Sequence, residues 1–351
     1  MTFRQSIVAG LCAVAFVATV NGNDAPATGG TTAPAPSVAS PTPALDELEA
    51  RAPKDWTDQK RIEETTAETI ALVGRNTLMS GGEFYRAAKL AAWDMRYYRT
   101  GRVRYELLLA ATAKDFRDAE QDLPEGWDNL LRMLGRPLRL DFSGLVALNP
   151  DTFQLEAAPA CIQAVWRNPA AARAALATAK PNPEMQKIVD EDQAVRKQNW
   201  SNLTQDELNA ITVKDRERNR RTREIVKAGE LHTAGDFANA SLVMQHSQSF
   251  AGFQLAHELA VCSMLLGDRG IGRWLVAATY DRMLGSVGHD QRFATQFGST
   301  GLMWVDETGI CDAERKALGC PTLNEERHRN MGGAAKQFTR LQTDGAKRVT
   351  Q

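Results

Sequence analysis

The chain reads as an all-α protein built from two related helical bundles packed together, and three observations predict this. One helical unit occurs twice in the sequence. Capping residues and apolar stripes at three- and four-residue spacing recur from about residue 45 to residue 330. No run of alternating β-branched residues supports a sheet. Only "GLMWVDE" and "LRLDFSGLVAL" have the pattern of short strands.

The duplication is visible as a constant offset of 153 residues. "TIALVGRNTLMSGGEF" (Thr69–Phe84) aligns with "TREIVKAGELHTAGDF" (Thr222–Phe237), and Ala87 then matches Ala240. With a one-residue gap, "YELLLA" from Tyr105 meets "HELAVC" from His257. The register returns where "WDNLLRMLGRPLRL" from Trp127 meets "YDRMLGSVGHDQRF" from Tyr280. Shared turns, aromatics and glycines over this length point to a tandem duplication with a diverged first copy.

Taken in order, residues 1–22 have the form of a signal peptide. Arg4 precedes the apolar run "IVAGLCAVAFVATV", and the small residues Val20 and Gly22 suit cleavage. The run is short against the roughly 20 residues of a membrane span. Cys12 lies inside it, which argues against a lipid anchor. Export to the periplasm or the medium is the expectation, with no membrane span afterwards. Residues 23–44, "NDAPATGGTTAPAPSVASPTPA" in the main, cannot bury a core and read as a disordered tether. The first helical unit spans 45–180, the second 181–330, and 331–351 reads as a flexible tail. The length allows each unit a core of its own.

In the second unit, "NPEMQKIVDEDQAVRKQNW" and "TQDELNAITVKDRERNRRTREIVKAGE" read as two long helices. Thr233 is a helix N-cap with Asp236 in the first turn, and that helix runs to about His246. A second helix spans about Phe253 to Leu266 and a third about Gly272 to Gly288. The second is apolar on nearly every face, so it belongs in the middle of a bundle.

The formal net charge of −1 argues against a nucleic-acid partner. The basic run "KDRERNRRTRE" from Lys214 mixes its signs at helical spacings and reads as a solvated face laced with ion pairs. Four cysteines follow the signal: Cys161, Cys262, Cys311 and Cys320. Cys311 and Cys320 bracket a short segment and are expected to form a disulfide, whereas Cys161 and Cys262 could pair or stay as buried thiols. No cysteine or histidine cluster has metal spacing. "HELAV" lacks the second histidine of a zinc-protease helix, and no GxSxG, Walker or Rossmann pattern is present. No cofactor or metal is assigned.

Candidate site residues emerge from phase and from the comparison of the two copies. Asp281 falls on the core-facing stripe of its helix, so its carboxylate needs a cation or donors; His246, His257, Arg273, Arg282 and Arg292 are the candidates. An Asp holding an imidazole in one tautomer is the logic of a general base. The competing reading is a buried pair that only fixes helix packing. His246 faces Trp93 in the first copy, His257 faces Tyr105, Arg282 faces Asn129 and Gln291 faces Leu138. A packing role should persist in both copies, whereas a site is needed once. Asp128 matches Asp281, so Asp281 can equally be structural, and His246 with Gln245 is the first choice. Gln291, Arg292, Thr295 and Gln296 crowd a loop after Gly288. They suit recognition of a carboxylate, phosphate or amide, or pin the loop to the bundle.

"DEDQAVRKQNW", "DRERN", "GELHTAGDF", "MQHS", "AHELA", "RWLVAATYDRML" and "QRFATQF" together resemble a widespread bacterial domain-of-unknown-function family over about residues 184–330. Its signature combines an Asp-Gln pair with a following Arg, a Gln-His pair, an Asp-Arg pair and Gln-Arg-Tyr/Phe-Gly-Thr-Gln. The resemblance implies Asp192, Gln193, Arg196, Asp215, Asn219, Gln245, His246, Asp281, Arg282, Gln291, Arg292, Thr295 and Gln296 as signature positions. Ala294 stands where the family usually has Gly, and Asp290 where Pro is usual. The resemblance implies where a site lies and implies no reaction.

These readings converge on one polar site in the second unit, hydrolytic, with His246 and Asp281 as the catalytic pair. Asp192, Gln193, Arg196, Gln245, His257, Arg282, Gln291, Arg292, Thr295 and Gln296 would contact a small-molecule or peptide ligand. The alternative is a non-catalytic ligand- or protein-binding module of the cell envelope.

Overall fold

In the computed structural model the described residues are 43–329, except 143, 145, 147–148, 150–151, 199–201 and 299–300. The expected signal peptide and tail lie outside them, as does the tether up to residue 42; Pro43 and Ala44, expected in the tether, instead open the first helix. Fourteen helices occur among the described residues. In the N-terminal half these are α1 (Pro43–Arg51), α2 (Gln59–Gly74), α3 (Gly81–Ala91), α4 (Tyr98–Ala113), α5 (Arg117–Met133), α6 (Ala160–Arg167) and α7 (Pro169–Leu176). The C-terminal half has α8 (Pro183–Arg196), α9 (Gln205–Ala228), α10 (Ala234–Met244), α11 (Phe250–Leu265), α12 (Ile271–Ser286), α13 (Asp312–Ala317) and α14 (Leu323–Arg329). The fold is all-α. The strand-like segments reduce to a two-residue antiparallel ladder, β1 (Phe297–Gly298) with β2 (Gly301–Leu302), and to single bridges elsewhere.

Local chemistry sets the helix ends. Ser80 and Thr233 each cap the following helix reciprocally: Glu83 N and Asp236 N donate to their hydroxyls, while Glu83 and Asp236 accept the Ser80 and Thr233 N–H groups. Gly229 closes α9 at φ 74°, a left-handed position that suits glycine. Helix α10 ends at Met244, so His246 lies two residues past the helix and not on its apolar stripe.

Helices α4 and α11 are the centre of the molecule. From Thr100 to Ala113 and from Gln254 to Leu265, every residue is buried. Helix α4 packs between α3 and α5, and α11 between α10 and α12. Burying each Leu, Val or Phe side chain stabilises by about 1.5–3 kcal/mol, and these two helices contribute much of that apolar area.

Two buried aspartates shape the chain beyond α5 and α12. Asp128 on α5 accepts from the N–H groups of Arg139 (2.8 Å), Leu140 (3.1 Å) and Phe142 (3.4 Å). Asp281 on α12 accepts from those of Arg292 (2.7 Å), Phe293 (3.0 Å) and Thr295 (3.1 Å), each 153 residues further on. The turns so fixed send an arm of each half across the other. Arg139 forks onto Glu258 of α11 (2.8 and 3.2 Å), and Arg292 forks onto Glu106 of α4 (2.8 Å at both oxygens). Parallel bridges, Leu138 with Leu155 and Gln291 with Val305, hold the two arms alike. Helix α6 then packs on α11, and α13 on α4.

Each half thus clasps the central helix of the other, and the main core is one continuous cluster from Leu45 to Cys320. The two halves are packed on one shared core. The reason is the crossing arms, which carry α6 and α13 over the boundary. Among the described residues no helix is long and apolar enough to cross a membrane.

Candidate functional site

Asp192, 1 % exposed on the last turns of α8, is the hub of a polar cluster between α8, α9 and α10. Its Oδ1 accepts from Arg196 Nη2 at 3.0 Å, one turn along the same helix, and from His246 Nδ1 at 3.1 Å. Its Oδ2 accepts from Gln193 Nε2 at 2.8 Å. Helix α9 presents Ile211, Asp215, Arg218, Thr222 and Ile225 at three- and four-residue spacing, and this stripe turns inward. Asp215 Oδ1 accepts from Arg196 Nη2 (2.6 Å) and Arg218 Nη2 (2.5 Å), and Arg218 Nε lies 3.6 Å from Asp192. The opposite face of α9 carries exposed pairs of Arg220 and Arg221 with Glu217, Glu224 and Glu184.

The carboxylate can only accept, so His246 carries its proton on Nδ1. Nε2 then holds a lone pair. It makes no hydrogen bond among the described residues, and 13 % of the side chain is exposed. Burial pushes His246 below its ordinary range, and the positive charges of Arg196 and Arg282 add to this against the pull of Asp192. For Asp192 burial acts upward, but the hydrogen bonds and charges of His246 and Arg196 outweigh it and hold the group low. A neutral imidazole oriented by a buried carboxylate is the result.

Arg282, on α12, is half-buried with its Nε fully enclosed, and makes no hydrogen bond or ion pair among the described residues. Burial, then the like charge of Arg196, bring it down to about 10. Gln245 is buried beside His246 with Oε1 unpartnered, and Asn219 Oδ1, one turn past Asp215, is likewise enclosed and unpartnered.

The other expected site residues lie elsewhere. Asp281 does not meet a histidine. Besides the three backbone donors it accepts Thr295 Oγ1 at 2.7 Å, and its position is shared with Asp128. Gln291 Nε2 donates to the carbonyls of Gln296 and Met303 (2.9 Å each), and Gln296 N returns a bond to Gln291 Oε1 at 2.7 Å. Gln296 Nε2 reaches the Ala278 carbonyl at 3.2 Å, and Arg292 is held by Glu106 and the Thr308 carbonyl. These side chains pin the loop. His257 is fully buried at the centre, donating from Nδ1 to the Val276 carbonyl (3.1 Å) and accepting from Tyr105 Oη at Nε2 (2.8 Å). Burial holds it down at about 3, so it stays neutral.

The disulfide expected between Cys311 and Cys320 is absent, and all four cysteines of the described residues are free thiols. Cys311 precedes and Cys320 follows the six-residue helix α13. The helix stands between the two thiols, and the turn that ends it is closed by Cys320 N donating to the Arg315 carbonyl.

Among the described residues no three His, Cys, Asp or Glu side chains converge as a metal-ligand set. Arg196 and Arg218 already neutralise Asp192 and Asp215, so the donor set suits an anion or a hydrogen-bonding ligand more than a cation. A surface hollow of about 290 Å³ lies in the other half, lined by Trp56, Arg86, Lys89, Leu90 and Trp93 among others. Trp93 there corresponds in sequence to His246.

Arg218 is the member of the cluster that the sequence pattern did not single out. Its signal was the spacing from Ile211 and Asp215, hidden within a run that reads as solvated. Compared with protein-family models, curated proteins and solved structures, the chain matches none.

Proposed function

We propose that the C-terminal half carries a hydrolytic site in which His246, oriented by Asp192, is the general base. The observation that carries this reading is the asymmetry of the imidazole: Nδ1 is tied to a buried carboxylate and Nε2 is left as a lone pair. Such a base takes a proton from water as the oxygen adds to an acyl or phosphoryl centre, and returns it to the leaving group. Arg196, Arg218 and Asp215 hold Asp192 in place. The pinned loop of residues 291–296 acts as scaffold, since its polar groups are engaged with one another, with Asp281 and with Glu106.

The duplicated unit supports this reading. The Asp128 and Asp281 turns, the Arg139 and Arg292 forks and the two capping boxes match at the same offset, as descent from one ancestral unit would leave them. Against that common scaffold, Trp93 and Asn129 replace His246 and Arg282. The signature positions Asp192, Gln193, Arg196, Asp215 and His246 fall together, which also favours the family resemblance. The apolar N-terminal run favours export, to periplasm or medium.

The test is an assay of the full chain on carboxyl esters, phosphate esters and amides, with His246→Ala and Asp192→Asn alongside. The reading predicts turnover of one class and a loss of about 10²–10⁴-fold in His246→Ala. Undiminished turnover in folded His246→Ala, or no turnover of any class by the wild type, overturns it. The second reading, a non-catalytic binding module, draws on the hollow beside Trp56 and Trp93, where an indole 65 % exposed is available to a ligand.

A further inference from the structure

If His246 is the base, the groups around it also bear on what it acts upon. The buried arginines of the cluster have acid partners, Arg196 and Arg218 sharing Asp192 and Asp215, and the buried Arg292 elsewhere has Glu106. Arg282 has none among the described residues, although its Nε is fully enclosed. The strongest charge acting on it is the like charge of Arg196, and the weaker opposite charge of Asp281 is occupied by four loop donors. A guanidinium whose Nε is shut off from water without a partner, and which has no counter-ion among the described residues, is costly to folding, so its retention asks for a reason outside packing. The other half shows what packing alone accepts. Asn129 takes the place of Arg282 there and Trp93 that of His246, so the cation and the imidazole are present together or absent together.

We propose that Arg282 anchors an oxyanion, a phosphate or a carboxylate group, on the small molecule acted on at His246. A guanidinium presents paired N–H donors that match either anion in a fork. The proposal rests on the reading of His246 as a base in the same site. In the hydrolytic step Arg282 holds an oxygen already negative in the substrate. Water adds to the electrophilic carbon or phosphorus, its proton passes to His246 Nε2, and the bond to the leaving oxygen breaks as that oxygen takes the proton.

The experiment is calorimetric titration of the full chain with inorganic phosphate and, separately, with acetate. The wild type should bind one of them saturably at a single site, and the tighter of the two identifies the anion. Arg282→Gln should weaken that binding at least tenfold and Arg282→Lys less. Removal of a cation whose enclosed Nε has no partner should also raise the melting temperature of Arg282→Gln by about 2–4 °C. Absence of saturable binding to either anion, equal binding by Arg282→Gln, or an Arg282→Gln chain that unfolds would each overturn the proposal. Failure of the base reading has another appearance: Arg282-dependent anion binding intact, with hydrolysis indifferent to His246.

Discussion

Tyr105 and His257, which occupy the same place in the two aligned sequence units, donate and accept a single hydrogen bond across the centre of the protein, Oη to Nε2 at 2.8 Å. Both rings are fully buried, on α4 and α11, and His257 is fixed from its other side by Val276 and Thr279. Tyr105→Phe leaves Nε2 as an enclosed acceptor without a donor. The expected loss is about 1–2 kcal/mol of unfolding free energy, read from urea denaturation, with no effect on chemistry at His246.

The reciprocal forks give a sharper expectation. Arg292→Met leaves the fully buried Glu106 with Arg102 Nε, 3.7 Å away, as its remaining cation, and Arg139→Met leaves Glu258 with no ion-pair partner among the described residues; each should cost up to about 3–5 kcal/mol. Pairing Arg292→Met with Glu106→Met should recover most of that loss, because the desolvation of both charges is then avoided. Chemical denaturation of the two single variants and the double variant measures the coupling. Additive losses would show that the pair does not act as a unit.

Ala294 adopts φ +60°, and its counterpart Asp141 φ +43°. A left-handed backbone costs an alanine roughly 1 kcal/mol relative to glycine, part of which is offset by the extra freedom of glycine in the unfolded chain. Ala294→Gly is therefore expected to stabilise by about 0.5 kcal/mol, seen as a small rise in denaturation midpoint at unchanged slope.

Glu314, fully buried with Oε1 unpartnered, is raised to about 8, mainly by burial and then by Glu106. A carboxyl raised in the folded state holds a proton that the unfolded chain has released. Between its ordinary value near 4.5 and about 8, stability should fall as pH rises, and level off above. Glu314→Gln should remove this slope. Denaturation of both proteins at intervals across that range checks it; parallel curves would contradict it.

Much of the scaffold was legible because it rests on local chemistry. The Thr233 cap with Asp236 and the apolar α11 are short-range patterns, and the match of Asp128 with Asp281 is read from the repeat in the sequence. The partners were not legible. Glu106 and Glu258 are the single acids of α4 and α11, but nothing local says that each waits for an arginine of the other half. His246 was singled out by contrast with Trp93, yet its partner is Asp192, more than fifty residues earlier, and not Asp281. Spacing along one helix cannot report which distant helix packs on it. The loop side chains from Gln291 to Gln296 read equally well as ligand contacts or as pins, and only their hydrogen bonds to Asp281, Glu106 and backbone carbonyls separate the two.

The state of the His246 imidazole tests the central claim most directly. Nitrogen-15 chemical shifts of the histidine rings in the full chain, with His246 identified by its loss in His246→Gln, report which nitrogen bears the proton. At pH 7 a neutral ring protonated at Nδ1 is expected, with Nε2 free and its shift sensitive to added phosphate or acetate. A doubly protonated ring, or a neutral ring protonated at Nε2, would contradict the account.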